Sequence, residues 1–218
     1  SFQSDEGRNL LENIAFETSY DEEMEENVNR LRQAIADVLN GLQEIKERQM
    51  LFLKYGLELT QGEIAEERGI NQSTVSRRIN ELIKRILLGI WKWFNRKQET
   101  KYSPTELAEI QAVLYQDYAD KIDRFVQNSI SSVTEESWKL LKLFYVVKQP
   151  LSEIGNMFQR TEEEVRDRLN AILQQLCSNM LAQIQAEFNL ELQPEGVAFK
   201  SIPTIVETRL ERILQYLH

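Results

Sequence analysis

The stretch that decides the fold reads LTQGEIAEERGINQSTVSRRI and runs from Leu59 to Ile79. Thr60 carries the hydroxyl side chain of a helix N-cap, and Gly69 can adopt the left-handed conformation in which many helices end. Asn71 can then cap a second helix. The apolar stripe of that second helix consists of Val75, Ile79, Leu82 and Ile86. Two helices joined by a glycine turn predict a helix-turn-helix, whose second helix enters the major groove of DNA.

The face of the second helix opposite this stripe is polar and basic. Glutamine can bond adenine with two hydrogen bonds, arginine can bond guanine, and serine and threonine reach either kind of base edge. We therefore assign base reading to Gln72, Ser73, Thr74, Arg77 and Arg78. Lys84 and Arg85 follow one to two turns later, where a phosphate could lie. The alternative interpretation is an ordinary helical hairpin with a solvated polar face.

Charge is distributed unevenly along the chain of 218 residues, whose net charge is −9. Residues 44–102 carry 8 acidic and 12 basic side chains, whereas the segments before and after them are acidic. Nucleic-acid binding needs a local basic face rather than a basic chain. The acidic total is therefore compatible with DNA contact through the predicted helix-turn-helix.

Composition argues against several other functions. The chain has one cysteine, Cys177, and one histidine, His218, so it offers neither a Cys/His zinc site nor a Ser-His-Asp or Cys-His catalytic set. It has no glycine-rich phosphate loop, and its carboxylate clusters lack the spacing of a calcium loop. We expect no enzymatic activity, no cofactor, no metal and no small-molecule substrate.

The ends and the apolar runs of the sequence indicate its setting. No apolar run nears the ~20 residues that cross a bilayer, so we expect no membrane contact and a cytoplasmic location. The chain starts at Ser1 without an initiator Met. We expect that it is the C-terminal piece of a longer protein, or that its first residues come from a tag.

Helical periodicity and the absence of any sustained period of two predict an all-α fold. Ser103 and Glu106 form a capping-box pattern that opens a long helix, Thr134 is a further N-cap, and a last helix runs from about Pro203 to Leu217. We divide the chain into three parts. They are an acidic linker with a lead-in helix at 1–40, a helix-turn-helix domain at 41–98, and a second helical domain with a C-terminal helix at 103–218.

A shift of 90 residues repeats the apolar pattern of the helix-turn-helix. Leu51 maps to Leu141 and Val75 maps to Val165. Similarity at one fixed offset is typical of duplication, so we expect a degenerate second copy at about 132–177, joined to the first by the long helix.

The exposed face is not repeated, because Gln72, Ser73 and Thr74 become Glu162, Glu163 and Glu164, and Arg77 becomes Asp167. Carboxylates there would repel phosphates. We therefore expect the three glutamates to contact protein: the first repeat, a dimer mate, or a basic surface on RNA polymerase or a regulator. A purely structural role for the second copy is the alternative.

Residues 42–87 resemble region 4 of the sigma-70 family of bacterial RNA polymerase sigma factors. The run RQMLFLKYGL from Arg48 to Leu57 is similar to the region 4.1 helix with its terminal aromatic and glycine. The segments Leu59–Ala65 and Asn71–Arg77 resemble the start of region 4.2 and its recognition helix. The short link between Gly56 and Leu59 is similar to that of alternative sigma factors.

The resemblance implies binding to double-stranded promoter DNA at the −35 element and to the β-flap of core RNA polymerase, and with them a location at the bacterial nucleoid. It implies that Leu51 and Leu53 lie in the polymerase-binding helix. It assigns phosphate contact to Lys46, Lys54 and Ser76, and we add Thr60 to this set. Two other functions remain open: a stand-alone repressor or activator, and a protein-interaction module built on a sigma-like fold that no longer binds DNA.

Overall fold

The computed structural model describes residues 22–42, 44–94 and 103–216, and all regular structure in these ranges is helical. The α-helices of the described residues are α1 Glu22–Asn40, α2 Ile45–Leu51, α3 Gln61–Arg68, α4 Gln72–Trp93, α5 Pro104–Ile130, α6 Glu135–Leu141, α7 Leu151–Phe158, α8 Glu162–Phe188 and α9 Val197–Tyr216. Two π-helical turns, Phe52–Gly56 and Lys142–Val146, follow α2 and α6. The prediction of an all-α fold is confirmed. Of the acidic linker and lead-in helix predicted at 1–40, residues 1–21 lie outside the described residues.

Helix ends follow the capping signals in the sequence. Thr60 and Glu63 form a capping box at the start of α3, and Gly69 ends that helix in the left-handed conformation with φ of 61°. Ser103 and Glu106 exchange the same pair of bonds at the start of α5, with N···O distances of 3.0 and 3.1 Å. Asn71 differs from the expectation, because it occupies the N-cap position of α4 without a side-chain hydrogen bond.

The last helix starts earlier than predicted. The sequence pattern placed its start at about Pro203, but α9 begins at Val197 and carries Pro203 inside it. Proline in a helix removes one backbone hydrogen bond and usually ends the helix. Here the buried residues Ala198, Ile202 and Val206 recur every four positions along one face. Their burial outweighs the bond that Pro203 removes.

By its contacts the chain divides into two units, residues 1–55 with 60–118, and residues 56–59 with 119–218. The division falls inside α5 rather than at 98–103, and the domain boundaries drawn from the sequence remain a prediction. In the first unit α1 packs on α4, where a Cβ added to Gly89 would come within 2.7 Å of Val38. Trp93 also donates a 3.0 Å hydrogen bond to Asp37 of α1. Both contacts fix the position of α4.

The second unit is organised around the long helix α8. Its buried stripe consists of Val165, Leu169, Ile172, Leu176, Met180, Ile184 and Phe188. Polar contacts add to this core: Gln183 donates hydrogen bonds to the backbone oxygen of Phe125 and to Ser129. Asp123 accepts hydrogen bonds from Arg209 and Arg212 of α9. The second unit therefore has a packed apolar core, although its sequence is acidic overall.

The predicted repeat is visible in the element bounds. We call α2 to α4 the first module and α6 to α8 the second module. The same bounds recur 90 positions later in the second module. They recur for α2, for its π-helical turn and for α3, and α4 and α8 also start 90 positions apart. The positions with positive φ recur as well, with Glu58 matched by Lys148 and Gly69 by Gln159. Matching backbone conformation over so many positions supports duplication of one helical unit.

Within the described residues, no helix combines the length and the apolar character that a membrane span requires.

Candidate nucleic-acid interface

The turn between α3 and α4 sets the direction of the second helix. The N–H of Ile70 donates to the backbone oxygen of Ala65 at 3.0 Å, which closes the turn after Gly69. Ile64 of α3 and Val75 of α4 are both fully buried. Because both sides of the turn are anchored in the core, α4 has one orientation relative to α3. This is the arrangement of a helix-turn-helix.

The exposed side of the first two turns of α4 carries the base-reading residues predicted from the sequence. Gln72, Ser73, Arg77 and Arg78 are exposed. We call these four residues the reading face. Thr74 is half-buried. Side chains that reach the edges of bases must project into solvent in the free protein, and the four residues of the reading face meet this requirement.

The N-terminus of α4 suits an anion. Its first turn contains no acidic residue, so the positive end of the helix dipole is not neutralised. Unpaired N–H groups and this dipole together favour a phosphate. Ser76, which the sequence assigns to a phosphate, is half-buried in the second turn.

The N-terminus of α3 is different. The hydroxyl of Thr60 accepts from the N–H of Glu63 at 3.2 Å and lies 2.7 Å from its carboxylate. The hydrogen bonds from Thr60 lower the pKa of Glu63, so its carboxylate is ionised at neutral pH. A phosphate at Thr60 would meet this negative charge. The arrangement speaks against the phosphate contact that the sequence analysis assigned to Thr60.

The cationic residues assigned to phosphates have different surroundings. Lys46 and Lys84 are exposed. The ammonium of Lys54 lies 5.9 Å from the centre of the Tyr115 ring and is therefore engaged by an aromatic face. Arg85 forms an ion pair with Glu47. Of these four cations, Lys46 and Lys84 are thus the two that face solvent and take part in neither of the two contacts just described.

A cleft of about 400 Å³ between α2 and α4 brings several of these groups together. We call it the α2–α4 cleft. Basic and acidic side chains share its lining, which includes Lys46, Arg78, Arg85, Glu44 and Glu47. Sequence reasoning missed Glu47, because its partner Arg85 lies 38 positions away on another helix and no local spacing signals the pair.

The assignment of Leu51 and Leu53 to a partner-binding surface is wrong. Both side chains have no exposed surface, because α2 and its π-helical turn direct them into the core of the first unit. A partner cannot touch them without unfolding this part of the chain.

Glu162, Glu163 and Glu164 are all exposed in the first turn of α8. Glu164 completes a capping box with Thr161, whose N–H donates to the Glu164 carboxylate at 2.7 Å. These hydrogen bonds lower the pKa of Glu164. Where the first module has a helix start without acids, the second has three carboxylates. The partner contact predicted for them remains a prediction.

Comparison with known families locates one match in the chain. Residues 40–88 match a family model described as the MarR family, and this range contains α2, α3 and most of α4. The MarR family consists of transcription regulators, which supports a DNA-binding helix-turn-helix in this region. The match covers nearly the same residues as the resemblance to sigma factors, but it does not support region 4 in particular. No curated protein and no solved structure matches the chain.

Proposed function

We propose that the chain is a stand-alone transcription regulator that binds double-stranded DNA in a sequence-specific manner through α4. The observation that carries this proposal is the reading face, exposed at the start of a helix whose opposite side is anchored in the core. The family match over residues 40–88 supports the same function. The second module stabilises the chain or binds a protein partner.

The chemistry of the reading face fits the major groove. A recognition helix enters that groove with its N-terminal residues first, and these residues meet the base edges. Arg77 projects from the second turn and can make two hydrogen bonds with guanine, while Gln72 can make two with adenine. Lys84 is exposed two turns further along the helix, where a flanking phosphate could lie.

The stand-alone function and the sigma-like function differ in the DNA that they require. A stand-alone regulator binds as a dimer to a palindrome whose half-sites lie about 34–36 Å apart, one turn of the duplex. A sigma-like protein reads one asymmetric site and needs the β-flap of RNA polymerase. Leu51 and Leu53 are buried and cannot make the polymerase contact that the resemblance assigned to them, which is one reason why we favour the stand-alone regulator.

Selection of bound duplexes from a random library tests the proposal. We expect enrichment of one palindromic motif by the unmodified chain, and loss of that enrichment in the Arg77→Ala variant. Asp167→Ala, at the equivalent position of the second module, is the matched control and should enrich the same motif. Enrichment of an asymmetric motif only with polymerase present would favour the sigma-like function. No enrichment by any variant would contradict DNA reading altogether.

A further inference from the structure

Glu47 is the acidic side chain of α2 that meets the basic side of α4. Its Oε1 accepts a hydrogen bond from Nη1 of Arg85. Its Oε2 is buried and has no hydrogen-bond partner among the described residues. The Glu47 side chain is 18% exposed and that of Arg85 is 53% exposed. The carboxylate is thus partly withdrawn from water, while the arginine that it holds lies at the surface, where a phosphate could take the place of the carboxylate if the pair were broken.

The basic residues of α4 fall into two rows along the helix. Residues seven positions apart differ by about 20° in direction, so Arg78 and Arg85 form one row and Arg77 and Lys84 form a second. Only the row of Arg78 and Arg85 lines the α2–α4 cleft with Glu47. The row of Arg77 and Lys84 has no acidic partner among the contacts of the described residues.

We propose that Glu47 determines the specificity of DNA binding by holding Arg85 away from the phosphate backbone. This inference rests on the proposed function of α4. Sequence-independent affinity comes from cations that neutralise phosphates and release counterions. An arginine already neutralised by a carboxylate releases none. Glu47 therefore lowers binding to any duplex, while Arg77 in the other row still reads bases, and the ratio of specific to non-specific affinity rises.

Two other roles of Glu47 make different predictions. If the ion pair orients Arg85 toward a phosphate, then removing the charge of Glu47 weakens binding. If the pair only stabilises the fold, then removing it leaves DNA affinity and its salt dependence unchanged. Glutamine has nearly the same shape as glutamate, so Glu47→Gln removes the charge without leaving a cavity, and both alternatives can be examined in the folded chain.

The test measures affinity for a random-sequence duplex over a series of salt concentrations. Each additional phosphate contact steepens the slope of log affinity against log salt by about 0.9. For two proteins of equal affinity at about 1 M salt, this change means about eight-fold tighter binding at about 0.1 M salt. We expect this change for Glu47→Gln. In Arg85→Ala the slope should equal that of the unmodified chain, because in the unmodified chain Glu47 already keeps Arg85 from phosphate. The double variant Glu47→Gln/Arg85→Ala should return to the same slope.

Glu44→Gln is the matched control, since Glu44 lines the same cleft and the change removes the same charge without releasing Arg85. It should leave the slope unchanged. The inference is overturned if Glu47→Gln leaves the slope unchanged or weakens binding, or if Glu44→Gln has the same effect as Glu47→Gln. It is also overturned if Arg85→Ala alone makes the slope shallower than that of the unmodified chain. The last result is independent of how well the Glu47 variant folds.

The outcome also separates this inference from the proposed function. If the unmodified chain binds no duplex in a salt-dependent manner, the proposed function fails. If it binds and Arg77→Ala weakens binding, but Glu47→Gln changes nothing, only the role of Glu47 fails.

Discussion

The two modules share a backbone and differ in surface. Equivalent buried positions carry the same residue in both: Leu51 and Leu141, and Val75 and Val165, all with no exposed surface. The equivalent exposed positions near the start of α4 and α8 carry side chains of opposite charge, as Arg77 and Asp167 do. The comparison teaches that the core residues preserve the helical unit, while the proposed difference in DNA binding depends on the few residues of one exposed face.

The largest effect should come from the shared core. Leu51→Ala and Leu141→Ala should each lower the free energy of unfolding by about 2–5 kcal/mol, because both remove a buried side chain and leave a cavity. Urea denaturation followed by circular dichroism measures this loss. A loss below about 1 kcal/mol at either position would show that the two cores are not equivalent.

A smaller effect should distinguish the two turns. Ala65 of the first module is Gly155 in the second, where an added Cβ would lie 2.5 Å from the backbone oxygen of Arg160. We expect Gly155→Ala to cost about 1–3 kcal/mol, as overpacking usually does. Ala65→Gly should cost about 0.5–1 kcal/mol through the added freedom of the unfolded chain. Thermal unfolding of the two variants compares them, and a neutral Gly155→Ala would contradict the close approach.

Much of this fold can be predicted from sequence because the signals are local. The caps at Thr60, Ser103 and Thr134 and the glycine end at Gly69 depend on residues within four positions of each other, and the structure confirms them. The start of α9 is not predicted, since the burial of Ala198 and its neighbours overrides the local signal of a proline.

The candidate site is less predictable from the sequence. The exposure of Arg77 follows from helical periodicity. The burial of Leu53 depends on which elements surround it, and the pairing of Glu47 with Arg85 depends on two helices that meet only in the folded chain. Contacts between segments that are far apart in the sequence leave no local pattern from which they could be predicted.

The left-handed residue that ends α3 in the first module and α7 in the second offers a reciprocal exchange. It is Gly69 in the first module and Gln159 in the second, with φ of 61° and 53°. A residue with a side chain is strained in this conformation, so Gln159→Gly should stabilise the chain by about 0.5–1 kcal/mol and Gly69→Gln should destabilise it similarly. Paired thermal unfolding measures both. A loss of stability in Gln159→Gly would contradict the account.

The smallest effect concerns pH and should be alike in both modules. Hydrogen bonds from Thr60 and Thr161 lower the pKa of Glu63 and Glu164. A lowered pKa contributes stability above the unfolded-state value of about 4.3, and this stability is lost as the pH falls through the lower folded-state value. Glu164→Gln should therefore lose less stability between pH 5 and pH 3 than the unmodified chain. Equal losses would show that the capping box does not carry this pH dependence.

The central claim is that α4 binds DNA and its counterpart α8 does not. The most direct test titrates the selected duplex against the unmodified chain, Arg77→Ala and Asp167→Ala over a range of salt concentrations. The account predicts salt-dependent binding that Arg77→Ala weakens by about 1–3 kcal/mol, while Asp167→Ala stays within two-fold of the unmodified chain. Equal affinities for all three proteins, or no salt-dependent binding by any of them, would contradict it.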